Sequence, residues 1–247
     1  MNGHMIHCEL DPLLAALSYL VSVLGSFTAL QLAIAIPMAP AGRARTKAIL
    51  AAGAAMGGGA IWAMHFIAML ACKMPIPVTY DIGLTALSAI IAIGSCTAGL
   101  AIVGNGVFTP LKLIGGGLLM GVGVAGMHYT GMKAMQMPAT LNYDMNIVAI
   151  SIAIAVVASI AALWLAFKMR GMLPMLASAL IMGVAVSGMH YTAMEAAQIQ
   201  HDKSIAAATG IQAGDFGLAI FLLVALLLGV VLMITLKRQQ QRAQIQI

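Results

Sequence analysis

Seven apolar stretches run along this chain, near Leu13–Ile36, Ile49–Leu70, Ile82–Val103, Leu113–Lys133, Ile147–Phe167, Leu173–Ala196 and Phe216–Leu236. A hydrocarbon core of about 30 Å takes roughly 20 helical residues at about 1.5 Å each, so every stretch is long enough to cross a bilayer. Inside lipid only helices and closed barrels satisfy their own backbone groups. With 62 % of residues hydrophobic and 8 % charged, there are too few polar side chains to cover a water-facing surface. The expected fold is therefore an all-α integral membrane protein with seven transmembrane helices, and its first partner is the lipid bilayer.

Charge sets the expected orientation, because Lys and Arg concentrate in cytoplasmic loops. Arg43, Arg45 and Lys47 follow the first stretch, Lys112 the third, Lys168 and Arg170 the fifth, and Lys237, Arg238 and Arg242 the seventh. The other side holds only Lys73, Lys133 and Lys203, with every acid: Glu9, Asp11, Asp81, Asp144, Glu195, Asp202 and Asp215. This split predicts a multi-pass protein with its N-terminus outside and its C-terminus cytoplasmic. It also accounts for the formal charge of +5, and no basic patch with interleaved aromatics points to nucleic acid. The basic tail suits anionic lipid. The first ten residues lack a positive n-region, so no cleavable signal is expected and the first stretch is retained as a helix. Of three cysteines, Cys96 falls mid-span, while Cys8 and Cys72 share the outer side as either a disulfide or two thiolate ligands.

A motif recurs in the second, fourth and sixth stretches: Met64-His65-Phe66-Ile67-Ala68-Met69, Met127-His128-Tyr129-Thr130-Gly131-Met132 and Met189-His190-Tyr191-Thr192-Ala193-Met194. The histidines stand 63 and 62 residues apart. Each repeat is two spans long, so its copies enter the membrane in the same direction and their histidines reach one depth. This predicts three parallel two-helix repeats, about 13–80, 81–145 and 146–212, followed by helix seven. On a helix, residues four apart share a face, which pairs His65 with Met69, His128 with Met132 and His190 with Met194. Cys72 and Met135 lie further along that face, and Met64, Met127 and Met189 stand about 100° round the helix. Gly58, Gly121 and Gly183, seven residues before each histidine, are expected to permit close helix approach.

Histidine is costly inside a membrane and marks function by default, although interhelical hydrogen bonding and methionine gap-filling are the structural alternatives. Thioethers are soft donors and imidazole binds copper well, so a Met/His cage suits copper, as Cu(I), better than Mg, Ca or Zn. A His/His or His/Met pair on facing helices also offers axial ligation to haem. The candidate metal ligands are Met64, His65, Met69, Met127, His128, Met132, Met189, His190 and Met194. Tyr129, Thr130, Tyr191 and Thr192, from a neighbouring copy more than from the same one, or a backbone carbonyl, are expected to orient the rings by hydrogen bonding to their free nitrogens. Cys72, Met135 and the N-terminal His4, His7 and Cys8 are further candidate ligands. No nucleophile–base pair and no paired carboxylates lie at motif depth, so no catalytic residue and no enzyme are expected. The glycine runs Gly57–Gly59 and Gly115–Gly117 lack the Lys-Ser/Thr of a phosphate loop.

At Met127–Thr130 and Met189–Thr192 the chain resembles the MHYT family of bacterial integral membrane sensor domains, over essentially its whole length. The resemblance implies a seven-span domain in the cytoplasmic membrane, with its motifs near the outer face. It also implies a copper site that senses a diatomic gas such as oxygen, carbon monoxide or nitric oxide. Met127, His128, Met189 and His190 fall in intact motifs; Met64 and His65 match, but Phe66 and Ile67 replace the Tyr and Thr. Many relatives resemble a sensor joined to a cyclic-dinucleotide or DNA-binding module. Here the expected organisation is an outer tail 1–12, a sensor domain 13–236 and a cytoplasmic tail 237–247 without an output domain, so the signal would pass to a separate cytoplasmic protein. The expected function is a copper-binding membrane sensor of a gas or of redox state. The alternatives are a copper-handling transporter or chaperone, with Met120, Met182 and Met56 as a further layer, and a haem or copper electron carrier.

Overall fold

The computed structural model describes residues 6, 8–202, 204–205 and 210–212, with scattered positions between 217 and 233. Six helical runs among the described residues are long and apolar enough to cross a membrane. The first span is α1 (Pro12–Ala33) continued by α2 (Ala35–Met38). The second is α3 (Arg43–Ala54), a π-helical stretch Ala55–Trp62 and α4 (Ala63–Ala71). Then follow α5 (Ile82–Gly104), α6 (Pro110–Ala134), α7 (Met145–Lys168) and α8 (Met172–Glu195). The expected seventh stretch lies largely outside the described residues; its described positions are helical, and Leu228 packs over Gly59.

The ends of these helices follow from local chemistry. Asp11, Asp81 and Asp144 stand before α1, α5 and α7 in extended backbone, and each carboxylate accepts from backbone N–H groups of the first turn. Such caps satisfy donors that a helix leaves open, and a carboxylate also suits the positive end of the helix dipole. At the opposite end of the bundle Thr109 caps α6, and Gly42 and Gly171, both at φ +93°, lead into α3 and α8.

Short strands tie one end of the bundle together, a feature absent from the purely helical expectation. Strand β1 (Glu9–Leu10) pairs antiparallel with β2 (Cys72–Lys73), β3 (Thr79–Tyr80) with β4 (Met135–Gln136), and β5 (Ala139–Tyr143) with β6 (Ala197–His201). Strand β7 (Ile211–Gln212) lies on the other side of β3. Each of the first three pairs joins the lead-in of an odd-numbered span to the exit of the next even one. The capping aspartates repeat the same tie: Asp11, Asp81 and Asp144 donate their backbone N–H to Ala71, Ala134 and Ala196 carbonyls at 2.7, 2.8 and 2.9 Å. Lys73 adds an ion pair to Asp11 at 2.7 Å. The hydrogen bond from Lys73 is the main reason that the Asp11 carboxyl is held below its usual range.

Packing closes into a ring in which α5 lies on α6, α6 on α7, α7 on α8, α8 on α1, and the second span on both α1 and α5. In the second span 78 % of the most apolar window is buried, against 28–44 % in the others, which makes it the most enclosed of the six described spans. Glycines bring neighbouring helices close. A Cβ at Gly57 would lie 2.7 Å from Ile93 Cα on α5, one at Gly121 would lie 2.5 Å from Val156 Cα on α7, and one at Gly183 would lie 2.7 Å from Val23 on α1. Thus each motif-bearing span approaches the next odd one, and the third returns to the first.

Gly57, and not the expected Gly58, takes this place in the first copy. A π turn holds an extra residue, which shifts everything on its N-terminal side by one position relative to His65. At Gly58 the nearest atoms to an added Cβ are Ile93 side-chain carbons at 3.4 and 3.5 Å, ordinary contact. Gly57→Ala is therefore expected to destabilise the bundle by about 1–3 kcal/mol through overpacking against backbone, while Gly58→Ala is expected to be close to neutral. Thermal unfolding of the two variants in detergent checks this; equal losses would mean that the phase shift is not felt.

Candidate metal centre

The final turns of α4, α6 and α8 converge, and with them His65, His128 and His190. All three side chains are buried. Their ring centroids are 4.8 Å (His65–His128), 5.1 Å (His65–His190) and 5.2 Å (His128–His190) apart, at steep interplanar angles of 74–77°. One donor atom from each ring lies within 4.8 Å of the others. His65 Nδ1 and His190 Nδ1 are 3.1 Å apart, so one carries a proton and donates while the other accepts. The remaining four ring nitrogens, Nε2 of His65, both of His128 and Nε2 of His190, are buried and have no hydrogen-bond partner.

A buried polar atom without a partner costs on the order of 1–3 kcal/mol, and most native structures avoid it. Four in one cluster of three neutral imidazoles is the arrangement expected where donors serve a metal ion, and imidazole suits copper, zinc and iron alike. The residues present thus fit a metal. They do not fit haem held between two of these histidines, because rings about 5 Å apart with two nitrogens in hydrogen-bond contact leave no slot for a flat macrocycle.

Room for the cluster comes from Gly131. A Cβ at this position would run into His65 Nε2, whereas the same motif position is Ala68 in the first copy and Ala193 in the third. The missing methyl seats the His65 ring against α6. Sequence reasoning did not single out Gly131, although a lone glycine where two other copies keep alanine was a visible signal.

The methionines surround this layer on two sides. Met127 and Met189 join the larger apolar cluster away from the strand-capped end, with Met56, Met120 and Met182. Met69 and Met132 join the cluster beneath the strands, where Met135 also packs, and Met194 lies against it half-buried. Met64 is buried as well. Met135 packs in that cluster with Met69, Met132 and Met137.

The hydrogen-bonding role expected of Tyr129, Thr130, Tyr191 and Thr192 is not realised, since no ring nitrogen of the triad bonds to any of them. The helix rotation that turns each histidine inward carries the next residue round by about 100°. Tyr129 Oη instead meets Ser151 Oγ of α7 at 2.7 Å, and Tyr191 Oη is buried with no partner. What the three copies share is a ring edge: His65–Phe66, His128–Tyr129 and His190–Tyr191 all stack T-shaped, with centroids 4.8, 5.0 and 5.0 Å apart. Phe66 thus supplies the same contact as the tyrosines. Tyr129 also stacks on Tyr143 at 5.4 Å, and burial pushes the Tyr143 hydroxyl up to about 12. Tyr129→Phe and Tyr191→Phe are accordingly expected to leave metal content within about twofold of the parent, well short of the 10- to 100-fold cost of losing a ligand-orienting hydrogen bond. Copper titration of both variants is the check.

Cys8 and Cys72 form a disulfide, with Cα atoms 5.2 Å apart. A sulfur committed to a disulfide is not a thiolate donor, so neither cysteine belongs with the ligands. Antiparallel pairing of β1 with β2 brings their backbones within the range that a disulfide spans. His4 and His7 lie outside the described residues.

The sequence matches a repeat described as "Bacterial signalling protein N terminal repeat" three times, over residues 58–116, 121–179 and 183–246. It is similar to a Pseudomonas aeruginosa protein named bifunctional diguanylate cyclase/cyclic di-GMP phosphodiesterase MucR, with 44 % identity over 199 residues, covering 78 % of this chain and 29 % of that one. A second Pseudomonas aeruginosa protein, cyclic di-GMP phosphodiesterase NbdA, is 34 % identical over 204 residues, covering 79 % of this chain and 26 % of its own length. The Bacillus subtilis signaling protein YkoW is 29 % identical over 215 residues, 81 % of this chain and 25 % of that one. The chain therefore spans between a quarter and a third of these relatives. No solved structure matches it. Three repeats, each opening in its Met-His motif helix, cover most of the sequence, and the chain belongs to the MHYT family of bacterial signalling proteins.

Proposed function

We propose that this chain is a membrane-embedded copper-binding sensor module, comprising a domain of residues 13–236 built from three two-helix units and a seventh helix. The observation that carries the reading is the buried histidine triad with four unpartnered nitrogens and no carboxylate in the cluster. The cost of burying an ion rises steeply with its charge, and neutral donors offset less of it than a site that includes a carboxylate or thiolate. This favours monovalent Cu(I) over a divalent ion, with methionine thioethers close by as soft neighbours. When bound, such an ion supplies an open coordination position for a diatomic gas. The protein's part is to hold three rings at one level, exclude water and keep competing oxygen donors away.

The motif end faces the outer side in this reading. The lysines and arginines favour that orientation, and a disulfide at the same end favours an oxidising compartment. Signal output is directed to cyclic di-GMP turnover in the cytoplasm, on the analogy of the relatives' named activities. The test is metal analysis of detergent-purified protein together with its visible spectrum and its response to carbon monoxide. Close to one copper per chain, with a carbon monoxide adduct of the reduced form, is expected; metal-free, monodisperse protein would defeat the reading.

One observation favours copper handling as a second reading. Met56, Met120, Met182 and Met189 all line a cavity of about 30 Å³ on the far side of the triad, in the direction that an ion crossing the membrane would take. The one-residue π shift accounts for Met56 standing nine residues before its histidine where Met120 and Met182 stand eight. Uptake of Cu(I) into vesicles carrying the protein separates the two readings.

A further inference from the structure

A pocket of about 150 Å³ opens at the strand-capped end, between the Cys8–Leu10 segment and the last turn of α8. Cys8, Leu10 and Cys72 form one wall, Met194 and Glu195 the other, and His190 of the triad lies at its base. Exposure falls along the α8 side of the pocket: Glu195 is exposed, Met194 half-buried and His190 buried. His190 and Met194 are four residues apart, one turn or about 6 Å along the helix, on a shared face. The opposite wall is held in place by several ties. They are the Cys8–Cys72 disulfide, the β1–β2 pairing, the Lys73–Asp11 ion pair and the Asp11 N–H bond to Ala71.

We propose that this pocket is the loading route to the histidine triad, with Glu195 as the capture residue for a soft monovalent cation and the disulfide-tied Cys8–Leu10 segment as the lid over the route. The inference rests on the metal-site reading above and extends it to residues that reading does not use. A cation arriving from water meets a carboxylate that attracts it while still hydrated, then a thioether, then a neutral imidazole. Its water is replaced in steps, and no step leaves it bare in an apolar wall. Glu195 lies outside the triad and therefore governs how fast the ion arrives, not how tightly it is finally held. The lid narrows the mouth, so it slows entry and exit together.

The experiment follows transfer of Cu(I) from its coloured bicinchoninate complex to full-length protein in detergent, recording both the transfer rate and the final copper per chain. Glu195→Gln is expected to load roughly tenfold more slowly at low salt, and Glu195→Lys more slowly still. Both should reach the parental copper content, and the difference should shrink at high salt as screening removes the attraction. The Cys8→Ser/Cys72→Ser variant is expected to load and release faster than the parent. Parental rates in both Glu195 variants, with full copper content, would overturn the route and leave the metal site standing. A parent that takes up no copper would overturn the site and the route together. If the cysteine variant fails to assemble, the salt-dependent Glu195 comparison still decides.

Discussion

Replacing His128 and His190 together with leucine is expected to abolish stoichiometric copper binding while the helical bundle persists. The triad would keep one imidazole, and His65 would lose the partner of its Nδ1 at 3.1 Å. On the proposed reading, a lone buried imidazole offers too few donors to hold an ion that the three rings would bind together. The fold does not depend on these side chains in the same way. Replacing buried polar groups with apolar ones of similar size can be nearly neutral, and the helices are set by glycine approaches, aspartate caps and strand pairs elsewhere. Copper per chain and helical circular dichroism on monodisperse protein provide the comparison. Unchanged copper in the double variant would return the whole repeat to a packing role.

Gly131→Val should cost about as much without touching a ligand. The added side chain starts too close to His65 Nε2 for both to keep their places, so the ring must shift out of the layer. Copper affinity is expected to fall by about 100-fold, the upper end of what misplaced ligands lose when their support is removed. Gly131→Ala should show a smaller loss in the same direction, since a single methyl fits the helix at Ala68 and Ala193 and only the His65 seat objects. Isothermal titration or competition with a copper chelator measures both. If valine is tolerated with parental affinity, His65 is not held against α6 in the working state.

Five of the six described spans lie within about three residues of where hydropathy put them, and the second begins six residues earlier, at Arg43, because bilayer thickness fixes the apolar length and a polar first turn extends past it. The meeting of His65, His128 and His190 was legible for a similar reason: two spans per repeat return each motif to the same depth. What the sequence hid depends on rotation or on long-range backbone pairing. The π turn before Ala63 contains the run Gly57–Gly59, but the similar run Gly115–Gly117 stays α-helical in α6, so composition does not mark the turn that moves the helix contact from Gly58 to Gly57. The partner of Tyr129 is Ser151, two helices meeting at an angle that no local pattern encodes. Strands as short as two residues, such as Glu9–Leu10 against Cys72–Lys73, carry no alternation to read and exist only because the helices bring their ends together. Cys8 and Cys72 become neighbours through that pairing, which left disulfide and ligand equally open beforehand.

Among the described residues the strand ties lie at one end of the bundle, so a tilt of a motif-bearing span would pivot about that end. The carbonyls of Ala71, Ala134 and Ala196 are pinned one residue or less beyond the helical turns that carry the histidine cluster's outer cover. Movement that begins at the rings has little amplitude there. A helix of 24 residues, such as α8, reaches about 36 Å, so a tilt of about 5° about the pinned end carries the far end through roughly 3 Å. The loops at Gly42, Gly106 and Gly171, where the chain turns through positive φ, lie at that far end, where such a rotation would have its largest amplitude.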